Sequence, residues 1–226
     1  MTDSIILGVM DRNSWDDRTD ILILINPEKK IIEWIPRDLY SSIINDRINL
    51  AYAKGKGELL LKCLNDLNIF AKYCICVLPL CFDENIKKID NIDVEVTNNM
   101  SFYYPLHRHE EIEKGKKIIN FNSPFENLKG DRFHEWIGAR YRINNDSKFK
   151  PYPDFDRIRR QQILLKCLLK IKYNFIYSED NVKGINDEVL ILLKKMDNTW
   201  LIKEITENDY VPKTIDNKSV LVFKCR

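Results

Sequence analysis

The stretch Arg18-Thr19-Asp20-Ile21-Leu22-Ile23-Leu24-Ile25-Asn26-Pro27-Glu28-Lys29-Lys30-Ile31-Ile32-Glu33-Trp34-Ile35 decides the fold. Ile21–Ile25 is apolar at every position, so an extended chain here offers hydrophobic side chains to both faces. That is the pattern of a central strand covered on both sides. Asn26-Pro27-Glu28-Lys29-Lys30 is turn chemistry, and Ile31–Ile35 returns as a second strand. Upstream, Ile5–Met10 is a further short buried strand, followed by the polar loop Asp11–Asp20. Downstream the period changes. Leu59, Leu60, Cys63, Leu64 and Leu67 take helical spacing over Glu58–Leu67, preceded by a short helix near Leu50–Lys54. Lys54-Gly55-Lys56-Gly57 lacks the G-K-[ST] ending of a phosphate loop and reads as a break before that helix.

Further along, Tyr73–Leu80 and Ile92–Val96 read as strands and Asp83–Ile89 as a short helix. Asn98–Asn127 mixes aromatic, charged and turn residues and is expected to be a long irregular excursion over the surface. Arg132–Trp136 is helical in pattern, Ala139–Ile143 extended, and Asp154–Lys172 the clearest helix of the chain. Asp187–Lys195 adds a helix and Ser219–Phe223 a terminal strand. Strands and helices interleave throughout, which predicts a layered α/β domain. The expectation is one domain over residues 1–226, with its motif-bearing core at 4–172 and a C-terminal helix and strand in 173–226.

The 226 residues are 44% hydrophobic and 31% charged, enough apolar material for a sizeable core and too much for a disordered chain. The 36 basic and 34 acidic side chains nearly cancel, and a net charge of +2 argues against nucleic acid as a general partner. The longest apolar run, near Tyr73–Phe82, is about half of the ~20 residues a membrane helix needs and contains Pro79. The N-terminus shows no basic segment ahead of an apolar run and no cleavage site, so as written the chain reads as soluble and cytosolic. Cys63, Cys74, Cys76, Cys81, Cys167 and Cys225 include no paired C-x-x-C, and most sit in apolar settings, so they read as reduced core thiols.

The helix from Asp154 carries the densest chemistry. Arg159, Gln162, Lys166 and Lys170 fall on a solvent stripe. Arg157, Gln161, Leu164 and Leu168 share another face, with Arg160, Leu164, Cys167 and Ile171 beside it. Arg157, Arg160 and Gln161 thus continue into the core from the first turns, where free backbone N–H groups and the helix dipole favour an anion. Taken alone, the pattern fits an anion site or structural ion pairs equally well. In Arg140-Tyr141-Arg142 an extended chain points both guanidinium groups to one face. Arg37-Asp38 follows a strand directly, at the edge where α/β sheets usually bind ligands, and Arg47 opens the next segment. Asp11 ends one strand and Asp20 precedes the central one, with Arg18 two residues earlier. Two carboxylates beside several arginines suit a Mg²⁺–diphosphate site; acids at strand ends are otherwise turn formers. His107-Arg108-His109-Glu110 reads as a polar loop rather than a metal site, and Phe102-Tyr103-Tyr104 as local packing.

Five blocks in order resemble the LytR–CpsA–Psr catalytic domain: Ile6-Leu7-Gly8 with Asp11-Arg12; Arg18 through Pro27 and Ile35-Pro36-Arg37-Asp38-Leu39-Tyr40; Arg47-Ile48-Asn49-Leu50-Ala51-Tyr52-Ala53 with Gly57-Glu58-Leu59-Leu60; Leu128-Lys129-Gly130 through Arg142; and Asp154-Phe155-Asp156-Arg157-Ile158-Arg159-Arg160-Gln161-Gln162. Arg47 stands where the family usually has Lys. The resemblance implies a three-layer α/β/α domain around a central mixed sheet. It implies a Mg²⁺-assisted transfer of glycosyl-phosphate from a polyprenyl-diphosphate glycan to an acceptor, or hydrolysis of the pyrophosphate bond. Asp11 and Asp20 would be metal-side carboxylates. Arg18, Arg37, Arg47, Arg140, Arg142, Arg157 and Gln161 would surround the diphosphate, with Arg160 beside them on the helix. Arg18, Asp20, Asp154 and Arg157 would carry the chemistry. The alternative is a non-catalytic binder of a diphosphate lipid or sugar nucleotide. Family members carry an N-terminal membrane anchor, so the expected location is cytoplasmic as written and extracytoplasmic if an anchor has been removed.

Overall fold

The computed structural model describes residues 3–10, 17–107, 110–143, 154–173 and 182–224, with the side chains of Asp154 and Glu207 outside the description. Its strands are β1 Ile5–Met10, β2 Thr19–Asn26, β3 Ile31–Ile35, β4 Tyr40–Ser41, β5 Asp46–Arg47, β6 Tyr73–Val77, β7 Ile92–Glu95 and β8 Met100–Pro105. They continue with β9 Lys116–Phe121, β10 Phe125–Leu128, β11 Tyr141–Arg142, β12 Val182–Lys183, β13 Leu201–Lys203, β14 Tyr210–Ile215 and β15 Lys218–Phe223. The helices are α1 Ala51–Asp66, α2 Pro79–Ile86, α3 Asp131–Gly138, α4 Asp154–Lys170 and α5 Asp187–Lys194. The chain forms two compact units, residues 1–83 with 175–226 and residues 84–174.

The first unit is built on a six-stranded mixed sheet in the order β12-β6-β1-β2-β3-β13. β1 runs parallel to β6 and β3 parallel to β13, while β1–β2, β2–β3 and β12–β6 are antiparallel. The central position of β1 and β2 follows from their composition, since Ile5, Ile6, Leu22 and Ile25 are all buried. Gly8 leaves room where β1 meets β6: a Cβ there would lie 2.9 Å from Cys76 Sγ and displace it. Gly184 has φ +79°, and a Cβ would stand 2.4 Å from the Cys74 carbonyl oxygen. The C-terminal hairpin β14–β15 joins this unit through a parallel bridge between Leu39 and Leu221.

The second unit holds the antiparallel sheet β11-β8-β9 and the pair β10–β7. Phe102, Phe121 and Trp136 form its apolar centre, with edge-to-face contacts at 5.8 and 4.9 Å between ring centroids. Helix α4 packs on α3 and on β7.

The mixed α/β fold with a central mixed sheet agrees with the sequence, and several details differ. Residues 98–127 are not an irregular surface excursion: they form β8, β9 and most of β10, because alternate residues Phe102, Tyr104, Ile119 and Phe121 are buried. β6 stops at Val77, and α2 begins at Pro79, a residue suited to the first helical position. The expected break before the helix at Glu58 is present at Gly55-Lys56, within α1, where both residues leave helical geometry and Lys56 adopts φ 54°, ψ −153°. Cys63, Cys74, Cys76, Cys81 and Cys167 are free thiols; Cys225 lies outside the described residues, as do Arg108 and His109.

Candidate functional site

In the first unit two predicted site residues meet at the end of the β2–β3 ladder. The ladder ends with Leu22 opposite Ile35, and the turn that follows β3 brings Arg37 back to Asp20 just beyond that last pair. Their side chains form an ion pair, with Arg37 at 15% and Asp20 at 22% exposure. The turn beyond β3 then places Asp38 between two guanidinium groups. Arg37 Nε lies 4.0 Å from Asp38 Oδ2, and Arg47 Nη1 lies 3.5 Å from Asp38 Oδ1. Backbone hydrogen bonds fix the two segments against each other: Ile48 N–H donates to the Leu39 carbonyl at 2.8 Å and Asn49 N–H to the Arg37 carbonyl at 3.1 Å. Thr19 Oγ1 donates to the Asn49 carbonyl at 3.4 Å, tying the start of β2 to the same place. Asp38 Oδ1 and Asn49 Oδ1 are buried acceptors with no hydrogen-bond partner among the described residues.

Two carboxylates and two guanidinium groups thus converge at one end of the central strands, immediately after Arg18. Asp38, which follows Arg37 in the sequence, is the residue that links Arg37 to Arg47. Its adjacency to Arg37 was the available signal. Asp11, the other metal-side carboxylate expected, lies outside the described residues. Among the described residues no group of three or more His, Cys, Asp or Glu side chains is arranged to hold a metal by protein ligands alone. Mg²⁺ does not need one, since one or two carboxylates with phosphate oxygens and waters suffice. Asp38 Oδ1, buried without a hydrogen bond and facing Arg47 Nη1 at 3.5 Å, is compatible with that use.

In the second unit, α4 presents Arg157, Arg160 and Gln161 inward as its period requires, at 3%, 2% and 6% exposure. Gln162, expected on the solvent stripe, is buried as well at 3%. The structure gives Arg160 and Gln161 work at the end of α3. Arg160 Nε donates to the Trp136 carbonyl at 2.8 Å, Arg160 Nη2 donates to the Ala139 carbonyl, and the guanidinium lies 4.5 Å over the Phe102 ring. Gln161 Nε2 donates to the Ile137 carbonyl at 3.2 Å. The last carbonyls of a helix lack intrahelical partners and carry partial negative charge, so a buried cation is stabilised there. Arg160, expected beside a diphosphate, therefore anchors α3 to α4.

Arg140 and Arg142 flank Tyr141 at the edge of the β11-β8-β9 sheet, both partly buried. Arg142 Nη1 lies 3.3 Å from Asp156 Oδ2, while Arg159 Nη1 reaches Asp156 Oδ1 at 3.6 Å from the next turn. Asp156, to which the sequence motifs give no role, is the acceptor for both arginines, and its i,i+3 spacing to Arg159 is visible in the sequence. Asp154 opens α4, but its side chain is outside the description.

An α/β domain with a central mixed sheet, and acidic and basic motif residues gathered at the ends of its strands, defines the class. Residues 3–182 match the LytR_cpsA_psr family, and the chain belongs to it. The regulatory protein MsrR of Staphylococcus aureus (strain COL) is 28% identical over 183 residues, covering 76% of this chain and 49% of MsrR. The chain thus spans about half the length of the curated relatives it matches. Among solved structures, TagT bound to LI-WTA superposes with a TM-score of 0.68 at 19% identity, covering 99% of this chain and 85% of TagT. TagV of B. subtilis gives 0.64 at 20% identity, covering 99% and 92%. The YwtF (TagT) structure with bound octaprenyl pyrophosphate lipid gives 0.64 at 17%, covering 99% and 84%. At these identities the structures speak for the fold. Among the described residues no helix is long and apolar enough to cross a membrane.

Proposed function

We propose that this chain is a Mg²⁺-dependent phosphotransferase acting on a diphosphate-linked donor, a polyprenyl-diphosphate glycan or a related compound. The observation that carries this reading is the Asp20–Arg37–Asp38–Arg47 cluster at the end of the central strands. Guanidinium groups bind phosphate oxygens through paired N–H donors, and two of them match the charge of a diphosphate. Asp20 and Asp38 both lie beside Arg37, so they offer Mg²⁺ two carboxylates next to the arginines, and Asp11 adds a third by motif match. Mg²⁺, when bound, neutralises charge on the phosphoryl oxygens and the leaving phosphate. Arg18, Arg140, Arg142, Arg157 and Gln161 are assigned to the diphosphate by family motif.

The reaction joins an acceptor oxygen to the phosphorus nearer the glycan. The bond from that phosphorus to the bridging oxygen breaks, polyprenyl phosphate leaves with the electron pair, and the acceptor proton passes to a carboxylate, Asp20 or Asp154. Water as acceptor gives hydrolysis instead. Membership of the family supports this donor class, as does the octaprenyl pyrophosphate lipid named for one structural neighbour.

The test is release of polyprenyl phosphate from a polyprenyl-diphosphate glycan. Release should require Mg²⁺, stop with EDTA, and fall by at least ~100-fold in Arg37→Ala, the scale for removing a charge-stabilising donor. Binding by calorimetry without release would favour a non-catalytic binding protein for a diphosphate lipid or sugar nucleotide. The Asp20–Arg37 ion pair is the observation on that side, because it already neutralises one metal-side carboxylate.

A further inference from the structure

The C-terminal hairpin, residues 210–223, lies beyond the family-matched residues 3–182, yet it is tied to the Asp38–Arg47 cluster at several points. Leu221 N–H donates to the Asp38 carbonyl at 2.8 Å, beside the Leu39–Leu221 bridge. Arg47 Nε donates to the Ser219 carbonyl at 2.8 Å. Lys218 Nζ donates to Asp46 Oδ2 at 2.6 Å and to the Asn45 carbonyl at 3.3 Å. The other oxygen of the same carboxylate, Asp46 Oδ1, accepts from Arg47 N–H at 2.9 Å. One carboxylate therefore links the Lys218 ammonium to the Arg47 backbone, while the next residue of the hairpin holds the Arg47 side chain.

A guanidinium is planar, so a hydrogen bond from Nε fixes the plane in which its two terminal nitrogens lie. With Nε held by Ser219, Nη1 is directed to the Asp38 side of the cluster, 3.5 Å from Oδ1. Burial works to raise the Asp46 pKa, but the hydrogen bonds from Lys218 and from Arg47 N–H outweigh it and hold the carboxyl below its ordinary value.

We propose that the β14–β15 hairpin is a positioning element of the diphosphate site, with Lys218 as its positioning residue. Lys218 and Asp46 hold the hairpin so that the Ser219 carbonyl orients the Arg47 guanidinium toward the diphosphate. The inference rests on the reading of Arg47 as a diphosphate ligand.

The experiment uses the full chain with Lys218→Ala, Lys218→Arg, Asp46→Asn and the Lys218→Ala/Asp46→Asn double variant. The first readout is the Arg47 Nε–H resonance in ¹⁵N-arginine-labelled protein without ligand. The second is KM and kcat for the Mg²⁺–diphosphate donor, with binding of Mg²⁺–pyrophosphate as a companion. Lys218→Ala should remove the protected Arg47 resonance and raise KM roughly five-fold with little change in kcat, the scale of one well-placed surface ion pair. Lys218→Arg should restore both, Asp46→Asn should reproduce the loss, and the double variant should be no worse than either single one. The melting temperature should move by no more than ~4 °C. An unchanged Arg47 resonance in Lys218→Ala, or an unchanged KM alongside normal wild-type turnover, overturns the proposal. If the wild-type protein neither binds nor turns over a diphosphate, the functional reading fails, and the Arg47 resonance still decides the positioning claim.

Discussion

Arg160 and Trp136 hold each other by reciprocal hydrogen bonds. Arg160 Nε donates to the Trp136 carbonyl, and the Trp136 indole N–H donates to the Arg160 carbonyl, each at 2.8 Å. Both residues are buried, and the pair locks the last turn of α3 to the middle of α4. A guanidinium used in this way is part of the scaffold that carries Arg157 one turn earlier on the same helix.

Arg160→Ala should therefore act on stability. It strips a buried carbonyl pair at the end of α3 of its cationic donor, and hydrogen bonds to charged groups contribute about 1.5–3 kcal/mol each. A loss of about 3 kcal/mol in urea unfolding is expected. Arg160→Lys should recover little of it, because an ammonium cannot reproduce the fork that reaches Trp136 and Ala139 while lying over Phe102. Wild-type stability in Arg160→Ala would remove the scaffold role.

Asp38→Asn separates the metal reading from a purely structural one. The Asp38 oxygens lie 3.5 Å from Arg47 Nη1 and 4.0 Å from Arg37 Nε without a hydrogen bond to Oδ1, so removing the charge loses two loose ion-pair contacts and should cost about 1 kcal/mol or less of stability. Mg²⁺ affinity in the presence of pyrophosphate should nevertheless fall by ~10-fold or more, as for losses around other metal sites. Unaltered Mg²⁺ dependence in this variant would exclude Asp38 as a metal-side carboxylate.

The central strands were legible because Ile21–Ile25 and Ile31–Ile35 are apolar nearly throughout and separated by turn chemistry. The Asp20–Arg37 ion pair lies just beyond the end of their ladder. The helix from Asp154 was legible by its period, and so were the inward positions of Arg157, Arg160 and Gln161. What those inward residues touch was not, since a helical period gives a face and not the neighbour across it. Periodicity could not show that the end of α3 would arrive opposite Arg160. The strands within residues 98–127 were hidden because aromatic Tyr103 and exposed Ile118 stand at outward positions and blur the two-residue period, and Phe102, Phe121 and Trp136 become a cluster only after non-local pairing. The hairpin holds Arg47 through the Ser219 carbonyl and Asp38 through the Leu221 N–H, main-chain atoms that no side-chain pattern records.

Lys56 gives a test of stored strain. Its φ of 54° and ψ of −153° belong to a region that glycine enters freely and a side chain does not. Its ammonium pairs with Asp17, next to Arg18, and lies 5.4 Å from the Tyr52 ring centroid. Lys56→Gly should relieve the backbone, whereas Lys56→Ala loses the ion pair and keeps the strained Cβ. The glycine variant should exceed the alanine variant by about 1 kcal/mol in thermal unfolding, the lower end of such strain costs. Equal stabilities, or alanine the more stable, would mean that the conformation at position 56 is not strained in solution.

Glu135 sets an acid limit on the second unit. It lies beside Arg132 Nη1 and Lys117 Nζ, each at 2.7 Å, while Arg132 also stacks 4.4 Å from the Phe121 ring. Burial works to raise its pKa, but the hydrogen bonds from Lys117 and Arg132 prevail and hold the carboxyl below its ordinary value. The unfolded chain therefore takes up the proton first as pH falls. The stabilisation from this group is complete above the unfolded value of about 4.3 and drains away as pH drops through the lower folded value. Glu135→Gln should cost about 1.5–3 kcal/mol near neutrality, the range for hydrogen bonds to charged groups. The gap to wild type should then narrow steadily below about pH 4 as the native carboxylate is neutralised. Urea titrations of both proteins between neutral pH and pH 3 measure that gap directly. A constant gap across the series would show that the glutamine acts through shape and packing, with the ionic network contributing nothing.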